Sequence, residues 1–190
     1  MPRVESFPPL ARRGATVLIL GSVPGVASLR AGQYYAHPRN HFWRLLGELL
    51  GFDASASYAH RVRAVTAARI AVWDVLQSCE REGSLDAAID DRTLVPNDFA
   101  AFFRRHRQVA RVFFNGAKAE ACYRRCVLPN VTAPLIEYRR LPSTSPANAS
   151  QSHGDRLVAW RGILGAGPQC SDNRVAIAAP TTRSSSTPKA

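Results

Sequence analysis

The chain has 190 residues and carries 25 lysines and arginines against 14 aspartates and glutamates, a formal net charge of +11. This length suits one compact domain, and an apolar content of 46% excludes disorder throughout. No apolar run approaches the ~18 residues of a membrane span, and we expect neither export nor a membrane partner. The positive charge favours a polyanionic binding partner such as nucleic acid. An organism whose proteins are generally rich in arginine would give the same excess of basic residues.

Strands and helices alternate through the middle of the chain. Apolar, β-branched runs predict buried strands at 16–20, 70–75 and 111–114, and a fourth from 135 to near 141. Apolar residues at helical spacing predict helices at 40–50, 96–106 and 152–164, and another that follows Gly116 and runs through Cys126. This alternation predicts an α/β fold with a parallel sheet between helical layers. Ligands of such folds bind beyond the carboxyl ends of the strands.

The two ends of the chain differ in composition from this middle part. Residues 1–14, which include the pair Pro8 and Pro9 and the pair Arg12 and Arg13, predict an irregular N-terminal arm. Residues 15–165 are the expected folded domain. Residues 166–190 are rich in Ser, Thr and Pro without periodicity, which predicts a disordered tail. The four cysteines form no C-x-x-C pair, so we expect reduced thiols rather than a zinc ribbon.

The loop at 21–40 combines groups that suit a planar heterocycle. Its glycines and proline predict a tight turn with available backbone N–H groups, and neither a Walker A nor a dinucleotide fingerprint is present. An aromatic side chain stacks on a ring, polar groups bond its edge, and a further group positions a water. The residues concerned are Ser22, Val23, Tyr34, Tyr35, His37, Arg39 and Asn40.

A second loop, LPSTSPAN at 141–148, is stiff and rich in hydroxyl groups. Hydroxyl side chains bond phosphate oxygens, and a proline can wedge into a DNA groove. The residues that would contact DNA are Ser143, Thr144, Ser145, Pro146 and Asn148, together with Arg39 of the first loop. Taken alone, this segment is more typical of an ordinary loop before a helix, with Asn148 or Ser150 as the N-cap.

Three segments together resemble the uracil-DNA glycosylase superfamily, and most of all its hypoxanthine-DNA (deoxyinosine) glycosylase branch. They are GSVPGVASL at 21–29, YYAHPRNHFW at 34–43 and LPSTSPAN at 141–148. The segments VWDVL at 72–76, SCEREGSLD at 78–86 and FNGAKA at 114–119 fit the same branch. The likeness extends from about residue 17 to residue 164, and the 34–43 block is highly specific.

The resemblance implies a three-layer αβα sandwich around a four-stranded parallel sheet. It also implies that 15–165 is the catalytic domain of a monofunctional glycosylase that needs no metal or cofactor. The expected partner is double-stranded DNA containing a deaminated base. We further expect a monomer in the cytoplasm, associated with the nucleoid of a bacterium.

The resemblance also assigns roles, with two departures. Asn40 matches the asparagine that holds the attacking water in the hypoxanthine branch. Val23 stands where the mismatch-specific uracil glycosylases carry their water-activating asparagine, and Leu141 stands where uracil glycosylases carry a histidine. Both departures predict weak uracil excision, which remains the alternative activity. A non-catalytic DNA-binding relative is the third reading.

Base recognition is expected to combine stacking with edge hydrogen bonds. The flipped base would stack on Tyr34 or, preferably, Tyr35. Backbone N–H groups of Ser22 and Val23 would donate to the 6-carbonyl of hypoxanthine, and Asp74 or Asn115 would accept from its N1–H. His37 would act as a donor or general acid. The absence of lysine from these loops argues against a Schiff-base lyase.

Several of these residues also have purely structural interpretations. Asn40 is placed to cap the helix that follows it, and Asp74 at a strand end could cap a turn or pair with an arginine. His37 and His41 have metal-ligand spacing but no third ligand, so we expect no metal site. The basic run at 104–107 is more typical of a solvated helix end than of a phosphate site.

Overall fold

Residues 1–131, 136–148 and 151–165 are described by a computed structural model. The predicted tail at 166–190 lies outside these described residues. The strands, in chain order, are β1 Arg3–Glu5, β2 Val17–Gly21, β3 Ile70–Asp74, β4 Leu76–Glu80, β5 Val95–Pro96, β6 Arg111–Asn115 and β7 Glu137–Leu141. The α-helices are α1 Val26–Ala31, α2 Phe42–Leu50, α3 Tyr58–Ala67, α4 Phe99–Arg105, α5 Ala117–Cys126 and α6 His153–Trp160.

A four-stranded parallel sheet in the order β3-β2-β6-β7 forms the centre of the fold. All five residues of β2 and of β3 are buried, as expected of strands covered on both faces. The predicted α/β fold with a four-stranded parallel sheet is therefore confirmed.

Two groups of helices cover the two faces of this sheet. The Phe42 ring of α2 contacts the Trp160 ring of α6 edge-on at 5.8 Å, and Trp43 contacts Tyr58 of α3 in the same way. On the other side Phe99 of α4 meets Tyr123 of α5 at 5.1 Å. These aromatic contacts supply much of the buried apolar area that stabilises the sandwich.

The N-terminal segment differs from the irregular arm that composition predicts. β1 pairs antiparallel with β4, and β4 pairs with β5, so a second, three-stranded sheet lies beside the first. Val4 is buried opposite Cys79, whereas its two neighbours are exposed. A three-residue strand with one inward side chain leaves no periodic signal in the sequence, which explains the difference.

Three helical elements also differ from the expectation. α1 falls inside the segment 21–40, which was expected to be a loop. α3, which begins after the N-cap Ser57, was not predicted, because its apolar residues follow the helical period only weakly. The predicted helix at 152–164 is α6 followed by a 3₁₀ turn at Arg161–Leu164.

If β1 is an integral part of the fold, truncating its one inward side chain destabilises the protein. We expect Val4→Ala to lower the free energy of unfolding by roughly 1–3 kcal/mol, since two buried methyl groups are lost. Glu5→Ala, on the exposed side of the same strand, is the matched control and should change it by less than about 0.5 kcal/mol. Urea denaturation of both variants measures this, and an equally small effect of the two would contradict it.

Candidate active site

The carboxyl ends of the parallel strands bring four chain segments to one edge of the sheet. Gly21 lies beside Asp74 in the register of β2 and β3, and Asn115 lies beside Leu141 in that of β6 and β7. The loops that the sequence singled out begin at these positions. The edge is therefore where ligands of this fold class bind.

Gly21 permits a close approach that no other residue would allow. A Cβ atom there would clash with Asp74 Oδ1 and would lie 2.9 Å from the Tyr35 hydroxyl oxygen. Tyr35 reaches this position with a φ of 54°, in the left-handed region that is unfavourable for a tyrosine. A strained tyrosine, a buried carboxyl and a bare backbone therefore meet at the end of β2.

The Tyr35 hydroxyl is buried and, among the described residues, has no hydrogen-bond partner. The Tyr35 ring stacks on Phe42 at 3.8 Å between centroids. Tyr34, by contrast, belongs to the core, because it is 2% exposed and its hydroxyl donates to the Phe7 carbonyl. Of the two tyrosines, Tyr35 is the one that offers an unsatisfied polar group at this edge.

Asp74 is a buried carboxyl, 3% exposed, at the end of β3. Ser6 Oγ donates to its Oδ2 at 3.4 Å. Burial raises the pKa of Asp74 to about 7, and the negative charge of Asp86 acts in the same direction. The ordinary pKa of an aspartate is near 4, so this carboxyl holds its proton into the neutral range.

Thr144 joins three parts of the site and is fully buried. Asn115 Nδ2 donates to its hydroxyl at 2.9 Å, and the Thr144 N–H donates to Asn115 Oδ1 at 2.8 Å. Its carbonyl accepts from the His41 N–H at 3.0 Å. Thr144 therefore supports the 141–148 loop from within and does not offer its hydroxyl to DNA. This differs from the DNA contact that the sequence analysis expected of Thr144.

Asn40 lies one residue before His41, which is the N-cap of α2, so Asn40 is not itself the N-cap that the capping interpretation expected. Its Oδ1 accepts from the Phe42 N–H at 3.0 Å, at the start of α2. Its own N–H donates to the His37 carbonyl, and His37 Nδ1 accepts from the Arg39 N–H. The amide group of Asn40 keeps its two N–H donors and one oxygen lone pair, since the hydrogen bond from the Phe42 N–H uses a single acceptor site.

A segment between β4 and β5 braces the 21–25 loop. Arg81, 1% exposed, donates from Nη2 to the Pro24 carbonyl, and Ser84 Oγ accepts from the Val26 N–H at 2.9 Å. Ser22 Oγ donates to Asp86 Oδ1 at 2.6 Å. Sequence reasoning did not assign this role to Arg81, although the SCEREGSLD segment that contains it was among those carrying the resemblance.

Two clefts flank this edge and share Asn148 and Gln151. One, of about 340 Å³, is bordered by polar and cationic side chains, namely Arg39, His41, Asn148, Gln151, His153 and Arg156, together with Pro146. The other, of about 550 Å³, includes Ser143, Lys118, Arg140 and Asp86 in its lining. The first cleft thus brings together three predicted DNA-contacting residues, Arg39, Pro146 and Asn148. It adds four that were not predicted, His41, Gln151, His153 and Arg156.

Metal binding finds no support at this edge. Within the ranges that the structure describes, no group of three or more His, Cys, Asp or Glu residues is arranged to hold a metal ion. His41 is the residue that precedes α2, and its ring lies 5.8 Å from that of His153.

An αβα sandwich with its polar groups at the carboxyl edge defines a ligand-binding class of α/β proteins, and comparison with known proteins identifies the family. Residues 8–163 match the model of the uracil DNA glycosylase superfamily. The chain therefore belongs to that superfamily of DNA glycosylases.

Two named relatives and one solved structure are similar to most of this chain. The chain is 40% identical over 157 residues to a Methanosarcina barkeri protein named hypoxanthine DNA glycosylase, covering 82% of this chain and 94% of the relative. It is 36% identical over 161 residues to a protein of the same name from Methanosarcina acetivorans, covering 84% and 97%. The solution NMR structure of a candidate uracil DNA glycosylase from Methanosarcina acetivorans superimposes with a TM-score of 0.71 at 32% identity, covering 86% and 97%.

The organisms of these similar proteins give only indirect information about the organism from which this chain comes. All three are archaeal, so they lend no support to the expected bacterial source. No helix among the described residues is long and apolar enough to cross a membrane. The cytoplasmic location stays a prediction.

The buried carboxyl of Asp74 makes a specific prediction about stability and pH. Because its pKa is higher in the folded than in the unfolded protein, the folded state binds more protons between about pH 4 and pH 7. This group's contribution to the free energy of unfolding therefore falls as the pH rises through that window, by up to a few kcal/mol.

Asp74→Asn removes this titration and leaves every other group in place. We expect the difference in stability between Asp74→Asn and the wild type to shift in favour of the variant from pH 4 to pH 7. Urea denaturation at several pH values measures it. A difference that is constant across the window would show that Asp74 titrates normally.

Proposed function

We propose that the protein is a hypoxanthine DNA glycosylase. It extrudes a deaminated base from double-stranded DNA and hydrolyses the N-glycosidic bond with water. The observation that carries the proposal is the convergence of Tyr35, Asp74, Asn115 and the Asn40 loop at one edge of the sheet, in a chain 40% identical to a protein of that name.

Recognition would depend on the edge that distinguishes hypoxanthine from adenine. Hypoxanthine has a 6-carbonyl and an N1–H, whereas adenine has a 6-amine and a bare N1. Backbone N–H groups of Ser22 and Val23 donate to the carbonyl in this proposal. Asp74 or the remaining lone pair of Asn115 accepts from N1–H. Adenine would leave these groups unpaired in a site from which water is excluded, which is a strong penalty.

Stacking would hold the base but would not select it. The ring of Tyr35, already supported on its other face by Phe42, is the stacking platform. Stacking contributes roughly 1–3 kcal/mol for any base. A deaminated base pairs weakly in the duplex, so it also costs less to extrude.

Asn40 would position the attacking water. An amide is a weak base, so its role is to hold the water below C1′ while positive charge develops on the sugar. The water oxygen bonds to C1′ as the C1′–N9 bond breaks, and the departing base takes both bonding electrons. The added water gives up one proton to solvent and becomes the C1′ hydroxyl, and the base takes up one proton, so that the net reaction is hydrolysis. His37, next to Asn40 in the same turn, would act as a hydrogen-bond donor or general acid toward the departing base.

The 340 Å³ cleft would hold the DNA backbone beside the flipped nucleotide. Its arginines and histidines supply donors for phosphate oxygens, as do the hydroxyls of Ser143 and Ser145. The protein would act as a monomer, since one chain supplies every group invoked here.

A panel of duplexes carrying inosine, uracil or xanthine tests the proposed function. We expect alkali-labile strand breaks to appear fastest with inosine. Uracil should react more slowly because Val23 cannot orient water. Breaks with uracil alone would make the protein a uracil glycosylase, and binding without breaks on any duplex would make it a non-catalytic relative.

Asn40→Ala, compared with a matched control, separates the catalytic role of Asn40 from its structural hydrogen bond to the start of α2. We expect single-turnover excision of hypoxanthine to fall about 100-fold or more, with duplex binding retained. The variant also loses the hydrogen bond from the Phe42 N–H, which is worth about 1 kcal/mol. Ser57→Ala, which removes the cap of α3 that accepts from the His60 N–H, is the matched control and should excise at the wild-type rate. Equal activity of Asn40→Ala and Ser57→Ala would remove Asn40 from the mechanism.

A further inference from the structure

A cluster of arginines lies at the end of the sheet opposite to the candidate active site. Because the four central strands are parallel, their amino ends share one edge, and the segments that lead into β2, β3 and β6 meet there. Six exposed arginines occupy these segments. This arginine pole consists of Arg12, Arg13, Arg69, Arg104, Arg105 and Arg107.

Hydrogen bonds join the three segments into one surface. The Thr16 N–H donates to the Arg69 carbonyl, and the Ala110 N–H donates to the Thr16 carbonyl. The Arg69 side chain spans the group, donating to the Gly14 carbonyl at 2.7 Å and to Gln108 Oε1 at 2.6 Å. The six arginines are therefore neighbours on a fixed framework, although they are far apart in the sequence.

None of these six guanidinium groups forms an ion pair with any carboxylate in the described part of the chain. Arginines elsewhere differ: Arg3, Arg92 and Arg125 are paired with Glu5, Asp90 and Asp91. Glu137 begins β7 on the same edge but is not ion-paired with the pole. A surface that gathers like charges without counter-charges loses stability by repulsion and attracts polyanions.

The helix dipole accounts for only part of this cluster. Arg104 and Arg105 lie in the last turn of α4, where a positive charge is favourable. Arg69 follows the C-cap Ala68 of α3, where a positive charge is favourable too. Arg12 and Arg13 precede β2 and follow no helix, so no dipole explains them. His106, buried between the arginines, adds no charge at neutral pH, because burial lowers its pKa.

We propose that the arginine pole is a second DNA-binding surface, which holds the phosphates of a DNA segment other than the one presented to the candidate active site. The inference rests on DNA being this protein's partner and not on which base is excised. DNA is the polyanion that a member of this superfamily meets at high local density. With two surfaces at opposite ends, one monomer contacts two duplex segments and can pass between them without dissociating into bulk solution.

The test measures bridging with lesion-free DNA. A short duplex is immobilised and loaded with the full chain, and a second, fluorescent duplex is then offered. The pole variant carries Arg12→Gln, Arg13→Gln and Arg105→Gln. The matched control carries Arg3→Gln, Arg92→Gln and Arg125→Gln. Each variant loses three positive charges, so both have a net charge of +8 (11 − 3), and melting temperatures check that both fold.

We expect the wild type and the control to capture the second duplex, and the pole variant to capture it about tenfold less or weaker still. The salt dependence of capture should decrease by roughly 0.9 in slope for each lost phosphate contact. All three proteins should load equally on the first duplex and excise hypoxanthine from a short oligonucleotide at the same single-turnover rate.

Three outcomes would overturn the inference. Equal capture by the pole variant and the wild type would show that bridging, if present, comes from association of the chain with itself. An equal loss of second-duplex capture in the control variant would show that capture depends only on the net charge of the protein. Loss of loading on the first duplex would make the pole the primary site. If the wild type captures the second duplex but excises no hypoxanthine, the proposed function is refuted and this inference stands.

Discussion

The candidate site depends on a close packing of backbone and side chains at the end of β2. Gly21 has no side chain, and this lets the Asp74 carboxyl and the Tyr35 hydroxyl occupy the space beside it. The Asp74 carboxyl is consequently removed from water, and the Tyr35 hydroxyl is buried with no partner in the described structure. Unsatisfied or perturbed polar groups of this kind are costly to keep, and they are characteristic of binding sites.

Ring stacking and hydrogen bonds connect this group of residues to the rest of the carboxyl edge of the sheet. Tyr35 stacks on Phe42, whose N–H is held by Asn40, and the neighbouring His41 N–H is bound by Thr144. Thr144 in turn is tied to Asn115 at the end of β6 by two hydrogen bonds. The residue proposed to position water is thus connected to those proposed to recognise the base through buried, directional contacts, which is the condition for precise positioning.

Much of this arrangement could be predicted from the sequence, for reasons that lie in the strands. Buried parallel strands are continuous apolar runs, so β2, β3 and β6 were placed within a residue or two, and the loops at their carboxyl ends followed. The resemblance then supplied candidate roles for Asn40 and Tyr35, which the geometry alone does not test.

The rest could not be predicted because it depends on contacts between distant residues. Thr144 was expected to face DNA, and only the fold shows that its hydroxyl accepts from Asn115. Arg81 reads as a surface charge, yet its guanidinium is buried against the Pro24 carbonyl. The run at 104–107 is unremarkable by itself, and only the topology places Arg12, Arg13 and Arg69 beside it. Part of the net charge of +11 is therefore gathered at the end of the sheet opposite to the candidate active site.

We propose that this edge selects hypoxanthine by its N1–H and 6-carbonyl and releases it by hydrolysis. Two duplexes that differ only in carrying inosine or adenosine at one position test this selection, with the free bases quantified by mass spectrometry. We expect free hypoxanthine in amounts equal to the abasic sites formed, and no release of adenine. Release of both bases at comparable rates, or of neither, would contradict it.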